Sequence, residues 1–248
     1  MTATLLITAT VTPNPDVPLL RVRDPDLRRA EYLDALRFYL SLPPSVLDRL
    51  VFAENSQADL DVFRHLAAEC GAADRFEAIA VAAAPSDLGR GVGEARIIDE
   101  AMRRSESLRA QDGTVWKVTG RYTVRNIAKL ILTAPEASLY VNLRRRPQRW
   151  CDTYAYAFTR AGYVRYLSDA EQLLIGKSQR GAIPGEIVMA GRVEELLSAG
   201  EPIVPRFKHE PRVDGVRAHD LRSYAGAAQR SKYLARVVAR RLAPGLWM

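Results

Sequence analysis

Apolar and polar positions change period repeatedly along the first half of the chain. Thr4 to Thr10 reads TLLITAT, a short and nearly continuous apolar run of the kind carried by a strand buried on both faces. A proline-rich loop follows (Pro13, Pro15, Pro18, Pro25). Leu27, Ala30, Leu33, Ala35, Leu36, Tyr39 and Leu40 then recur at helical spacing, which predicts a helix over Asp26 to Leu42. Pro43-Pro44 lacks the amide donors a further turn would need, and ends it. Arg49 to Ala53 predicts a second buried strand, closed by Glu54-Asn55-Ser56, whose side chains suit a turn and a helix N-cap. A helix over Asp59 to Cys70 and a third strand over Phe76 to Ala83 come next. Leu88 to Gly93 reads as a flexible turn opening a helix from about Glu94 to Leu108. Thr114 to Val118 is a fourth strand, running into Thr119-Gly120-Arg121-Tyr122.

The pattern loosens in the second half. Ser138 to Leu143 and Thr153 to Phe158 read as strands, Asp169 to Ile175 and Ile187 to Ala199 as helices, and Ser223 to Leu242 as a basic helix. No internal repeat is present. Strands alternating with helices predict an α/β fold with a mainly parallel sheet flanked by helices. The expected organisation is one domain over 1–220, with a basic helical C-terminal extension over 221–248. The domain is expected to divide into a first half, 1–125, and a second half, 126–220.

Composition narrows the setting. With 248 residues, 48% hydrophobic and 26% charged, the chain can bury a full core and has no low-complexity tract. The opening MTATLLITATVTP has neither a basic flank nor a cleavage site, and no stretch approaches the roughly 18 apolar residues of a spanning helix. A cytoplasmic location is therefore expected. Cys70 and Cys151 lie far apart without metal-ligand spacing, which argues against a disulfide framework and a zinc site. The net charge of +7 is concentrated at Arg144-Arg145-Arg146 and between Arg222 and Arg241, clusters that attract phosphate.

In open parallel sheets ligands bind at the carboxyl ends of the strands, so the polar residues at those ends should meet in one cleft. They are Thr8, Ala9 and Thr10; Glu54, Asn55, Ser56 and Asp59; Gly91, Gly93, Glu94 and Arg96; and Lys117, Thr119, Gly120 and Arg121. Their order resembles the nucleotide-binding half of family 2 glycosyltransferases of the GT-A kind. Where that family has an Asp-rich DNxSxD turn, this chain has Glu54 to Asp59, ENSQAD. Where it has a GxxxARN-like helix start, this chain has Gly91 to Arg96, GVGEAR. Where it carries a metal-binding DxD, this chain has Lys117-Val118-Thr119-Gly120-Arg121-Tyr122.

The resemblance implies a nucleotide-sugar donor, with Glu54 and Asp59 around the nucleoside, and a glycan or lipid-linked acceptor of surface polysaccharide assembly. No cofactor beyond the donor substrate is expected. Without a carboxylate at the fourth strand's turn a divalent metal lacks its usual oxygen ligands, so Lys117, Arg121 and Arg125 are expected to neutralise the diphosphate directly. A base must take the acceptor's hydroxyl proton. Glu186 is the first candidate, Asp152 the second and Asp214 the third.

Plainer readings stand beside these. Glu54-Asn55-Ser56 is equally an N-cap, the glycine run a simple loop, and Arg144 to Arg149 a solvated charge run. Trp150, Tyr154, Tyr156 and Phe158 could stack on a sugar or pack in the core. The basic C-terminal helix suits contact with an anionic membrane or plain solvation. A nucleic-acid-binding module and an inactive GT-A-like protein are the competing functions; the former lacks any recognised motif, and nucleic acid is not the expected partner. Gly176-Lys177-Ser178 lacks the preceding strand and first glycine of a P-loop, His65, His209 and His219 lack metalloprotease spacing, and no GxSxG elbow occurs.

Overall fold

The computed structural model describes residues 2–17, 20–177, 182–215, 227–243 and 245–248. In chain order the elements are β1 (Ala3–Ala9), α1 (Pro25–Leu40), β2 (Leu47–Glu54), α2 (Asp61–Glu69), β3 (Phe76–Ala80), α3 (Arg90–Arg104), α4 (Glu106–Ala110), β4 (Thr114–Thr119), β5 (Thr123–Val124) and α5 (Ile127–Leu132). They continue with β6 (Leu139–Tyr140), β7 (Leu143–Arg144), β8 (Trp150–Cys151), β9 (Ala155–Thr159), α6 (Arg160–Tyr166), α7 (Ala170–Lys177), α8 (Gly185–Ser198), β10 (Val213–Asp214) and α9 (Ala227–Leu242).

Six strands form one sheet in the order β3-β2-β1-β4-β9-β6. β1 pairs in parallel with both β2 and β4, β2 pairs in parallel with β3, and β9 runs antiparallel between β4 and β6. This is the expected α/β architecture: a mainly parallel sheet flanked by helices. Every residue of β1 is buried, as its unbroken apolar run requires. Leu5 and Ile7 enter one core with Tyr39 of α1, Phe63 of α2 and Leu130 of α5; Leu6 enters a second with Ile97 and Ile98 of α3 and Val193 of α8. Phe52 of β2 stacks on Phe63 at 4.3 Å, a pair that adds about 0.5–1.5 kcal/mol to the burial of its area.

Local chemistry explains where the elements begin and where the boundaries differ from those expected. The Asp24 side chain accepts from the amides of Asp26 and Leu27 and Pro25 takes the first turn, so α1 starts before Asp26. The helix expected from Glu94 to Leu108 is two helices. Ser105 leaves helical geometry, and its hydroxyl accepts the Leu108 amide at 3.1 Å, capping α4. The single strand expected over Ser138 to Leu143 is split between β6, in the main sheet, and β7, which pairs with β8. Helices α5 and α6 were not foreseen. Gly162 of α6 cannot carry a side chain, because a Cβ would lie 1.7 Å from the Ser138 carbonyl oxygen.

Candidate functional site

The first two crossovers place α1 and α2 over one face of the sheet; the third, from β3 to β4, passes over the other face with α3 and α4. The winding therefore reverses between β1 and β4, where loops on opposite faces leave a crevice beyond the strand ends. A cleft of about 1200 Å³ occupies that position, lined by Thr8, Ala9, Thr10, Asn55, Ser56, Gly91, Gly93, Glu94, Thr119 and Arg121 among others. Thus many of the residues singled out in sequence do converge.

Glu54, Asp59, Arg96, Lys117 and Gly120 do not line it, each for a physical reason. Glu54 is fully buried beneath the floor. Its carboxylate accepts from the amides of Val11 at 3.0 Å, Ser56 at 2.9 Å and Ala58 at 3.1 Å, and from the Ser56 hydroxyl. It therefore shapes the two loops that present Thr10, Asn55 and Ser56. Thr10 Oγ1 and Asn55 Oδ1 meet at 2.7 Å across them. Asp59 is exposed and accepts the Asp61 amide at 2.9 Å at the start of α2. Arg96 pairs with Glu171 and ties α3 to α7. Gly120 is squeezed between strand and helix: a Cβ would meet Ile7 Cγ2 at 2.7 Å, the Thr8 oxygen at 2.9 Å and Tyr32 Cε1 at 2.9 Å.

Lys117 alters the expected chemistry most. Its ammonium is fully buried, donates to the Thr153 carbonyl at 2.7 Å and Thr119 Oγ1 at 3.1 Å, and pairs with Glu94 Oε1 at 2.6 Å. Burial lowers its pKa against the opposing pull of Glu94. The same Glu94 oxygen accepts from Thr8 Oγ1 at 3.0 Å and Thr119 Oγ1 at 2.8 Å. Lys117 thus holds Glu94 in the cleft wall from behind and does not itself enter the cleft. The glycine run is likewise part of a helix: α3 begins at Arg90, and only Gly89 needs its left-handed φ of 85°. Gly91 admits α8, with the Gly185 Cα 3.7 Å from where a Cβ would stand, so the N-termini of two helices meet at the cleft.

Two buried guanidiniums stand on the α1 side. Arg28 Nε donates to the Thr10 carbonyl at 2.8 Å and Nη1 to the Val22 carbonyl at 3.2 Å, while Nη2 reaches Tyr32 OH at 3.3 Å. All are neutral acceptors. Arg121 pairs with Glu31. Burial, with Arg121 nearby, lowers the Arg28 pKa; burial also pulls on Arg121, but Tyr32 and Glu31 outweigh it and raise that group. Among the described residues these two cations therefore share one carboxylate, Glu31, an excess positive charge in a place where unpaired charge is costly. Arg28 and Tyr32 were not singled out. Their spacing of four residues puts them on one helical face, but the amphipathic pattern gave them no distinction from solvated neighbours.

The opposite wall comes from the second half. Glu186 sits in the first turn of α8 and lines the cleft. Burial raises its pKa, the Glu94 and Asp152 carboxylates add to the rise, and Arg90 opposes it. Asp152 also lines the cleft, but its Oδ2 accepts from Asn142 Nδ2 at 2.6 Å, Arg144 Nε at 2.9 Å and Tyr154 OH at 3.2 Å. Asp214 pairs with Arg125 at 2.6 Å, which turns Arg125 to Asp214 and the Phe38 ring. Arg144 is not part of a solvated run: it is buried between Asp152 and Glu210. Trp150, Tyr154 and Tyr156 line the cleft, whereas Phe158 belongs to the core.

Neither plain solvation nor a free tail describes α9. Arg240 meets buried Glu210 at 2.6 Å and Arg236 meets it at 3.6 Å, while the Trp247 carbonyl accepts from the Arg145 and Arg146 amides at 2.8 and 2.9 Å. Gln229, Tyr233 and Arg236 thereby become part of the cleft wall. Arg222 and His219 lie outside the described residues.

No protein-family model matches the chain, and no curated protein matches it. Among solved structures, a candidate nucleotide-diphospho-sugar transferase from Desulfovibrio desulfuricans is similar at 12% identity with a TM-score of 0.48, covering 82% of this chain and 78% of that one. A candidate glucose-1-phosphate thymidylyltransferase from Bacillus anthracis is similar at 11% identity and a TM-score of 0.43, covering 95% of each chain. Mannose-1-phosphate geranyltransferase from Thermus thermophilus is similar at 14% identity and a TM-score of 0.30, covering 83% of this chain and 68% of that one. All three likenesses are remote in sequence and loose in shape, so none of them bears on activity.

Proposed function

We propose that the protein is a GT-A-like glycosyltransferase that moves a sugar from a nucleotide-sugar donor to a glycan or lipid-linked acceptor without a metal ion, in the assembly of surface polysaccharide. The observation that carries this reading is the buried Arg28 and Arg121 pair, with Glu31 the carboxylate that balances it among the described residues, in the same cleft as the half-buried Glu186, whose pKa burial raises. An anionic diphosphate supplies the charge the arginines lack. Thr10, Asn55 and Ser56 fit the nucleoside, residues 1–125 the donor half and 126–220 the acceptor half.

In the transfer, the acceptor oxygen bonds to the anomeric carbon as the bond from that carbon to the diphosphate oxygen breaks. The diphosphate leaves with the electron pair, and Glu186 takes the hydroxyl proton. A carboxylate with raised pKa is a stronger base than an ordinary one, and Glu186 is freer to accept than Asp152, whose Oδ2 already takes four donor atoms from Asn142, Arg144 and Tyr154. Arg121 and Arg90 favour the negative charge developing on the leaving group. A divalent cation does not fit the turn after β4, where a buried guanidinium stands and no carboxylate does, so no step is assigned to a metal.

A thermal-shift screen with UDP, GDP, CMP and dTDP, in EDTA and with Mg²⁺ or Mn²⁺, tests this. One nucleotide should raise Tm equally in EDTA and metal, by the equivalent of about 2.7 kcal/mol at a hundredfold excess over Kd. Glu186→Gln should keep that shift and lose turnover. A shift only with metal removes the metal-free mechanism, and no shift with any nucleotide removes the transferase reading.

A further inference from the structure

The outer face of α9 differs from every other surface helix. Leu234, Val238 and Leu242 recur at four-residue spacing and are 60%, 52% and 81% exposed. Side chains four apart share a helix face, so the three form one apolar stripe about two turns long. The other large exposed apolar side chains among the described residues are Leu27, Leu132, Val164 and Ile175, one each on α1, α5, α6 and α7. None of those makes a stripe. Arg241, three residues after Val238, is exposed and falls along its edge, and Arg230, four before Leu234, is exposed where the stripe's edge meets the rim of the cleft, which it also lines.

The inner face of the same helix carries Gln229, Tyr233, Arg236 and Arg240, which line the cleft or hold Glu210. We propose that α9 is an interfacial helix that lays Leu234, Val238 and Leu242 into the surface of an anionic bilayer, with Arg230 and Arg241 at the headgroups and the cleft held beside the membrane. An amphipathic helix with apolar and cationic residues on its outer side binds in this way, and each cation near an anionic leaflet strengthens binding roughly fivefold. A second copy of the chain fits the stripe less well than an anionic surface does, since each molecule carries a net charge of +7. On the transferase reading, the acceptor is then a lipid-linked one met at the bilayer surface; bilayer binding itself does not depend on that reading.

The test is sedimentation of the full chain with vesicles of phosphatidylcholine alone and with about a third phosphatidylglycerol, at low and high salt, without nucleotide. Binding should be at least about tenfold stronger to the anionic vesicles and weaken with salt. The double variant Leu234→Glu/Val238→Glu should lose it about tenfold or more while keeping the wild-type Tm, because both side chains are exposed. Equal binding to both vesicles, no binding, or a dimer that the double variant dissolves in light scattering would overturn the proposal. Vesicle binding without any nucleotide shift would leave α9's role standing and remove the transferase; a nucleotide shift without vesicle binding would do the reverse.

Discussion

The two walls of the cleft are built by different physics. On the strand side, polar residues sit at the ends of long, parallel, apolar strands, and hydrogen bonds such as Thr10 to Asn55 and Thr8 to Glu94 only trim positions that the sheet has already set. On the side built by the second half of the chain, β7, β8 and β10 are each two residues long, and buried ion pairs do the positioning. Glu210 receives Arg144, Arg236 and Arg240 at once, and Arg144 in turn holds Asp152. The first wall should yield locally when changed. The second should fail as a unit, since a buried ion left without its partner is far more damaging than a lost surface pair.

The sharpest way to break this contrast is Glu210→Gln. It leaves three arginines around a neutral group and should cost about 3–5 kcal/mol in urea unfolding, with α9 released and its amides exchanging faster. Stability near wild type would mean the network is not what holds that wall. Gly120→Ala challenges the strand wall. Its Cβ must push aside Ile7, the Thr8 backbone and Tyr32, for about 1–3 kcal/mol, and should weaken nucleotide stabilisation more than the fold, because Thr8 and Tyr32 face the cleft. Unchanged nucleotide affinity would show that this packing does not set the site.

The smallest expected effect lies at Asp99, which lines the cleft and accepts Tyr163 OH at 2.7 Å. Burial raises its carboxyl from 3.8 to about 6, with Glu171 and Glu100 adding and Tyr163 and Arg96 opposing. A folded pKa above the unfolded one means the native state binds the extra proton. This contribution to stability is therefore present below about 3.8 and is lost as pH rises through about 6. Asp99→Asn should flatten the pH dependence of Tm across that window; an unchanged slope would assign it to other groups.

The parallel strands and the helices between them were legible because a strand buried on both faces reads as an apolar run and a covering helix as a spaced stripe. Thr8, Thr10, Asn55, Ser56, Glu94, Thr119 and Arg121 followed from one topological rule, that strand ends converge. Lys117 and Glu54 were misplaced for a common reason. Alternation along a strand does not say whether a polar residue at its end turns outward to a cleft or inward to a partner, and here Glu94 and the Val11, Ser56 and Ala58 amides drew them inward. The split into β6 and β7, and helices α5 and α6, had no periodic pattern long enough to announce them.

Local pattern in the chain was thus enough for the α/β class, the positions of the first four strands along the chain and the cationic character of the tail. Tertiary structure alone decided that Arg28 joins Arg121 as a second buried guanidinium, that Arg144 and Arg240, far apart in the chain, meet at Glu210, and that α9 turns one face to the cleft and an apolar stripe outward. Hydrophobic periodicity is a property of neighbours in sequence, whereas the energy of a buried charge is set by whichever distant group arrives to meet it.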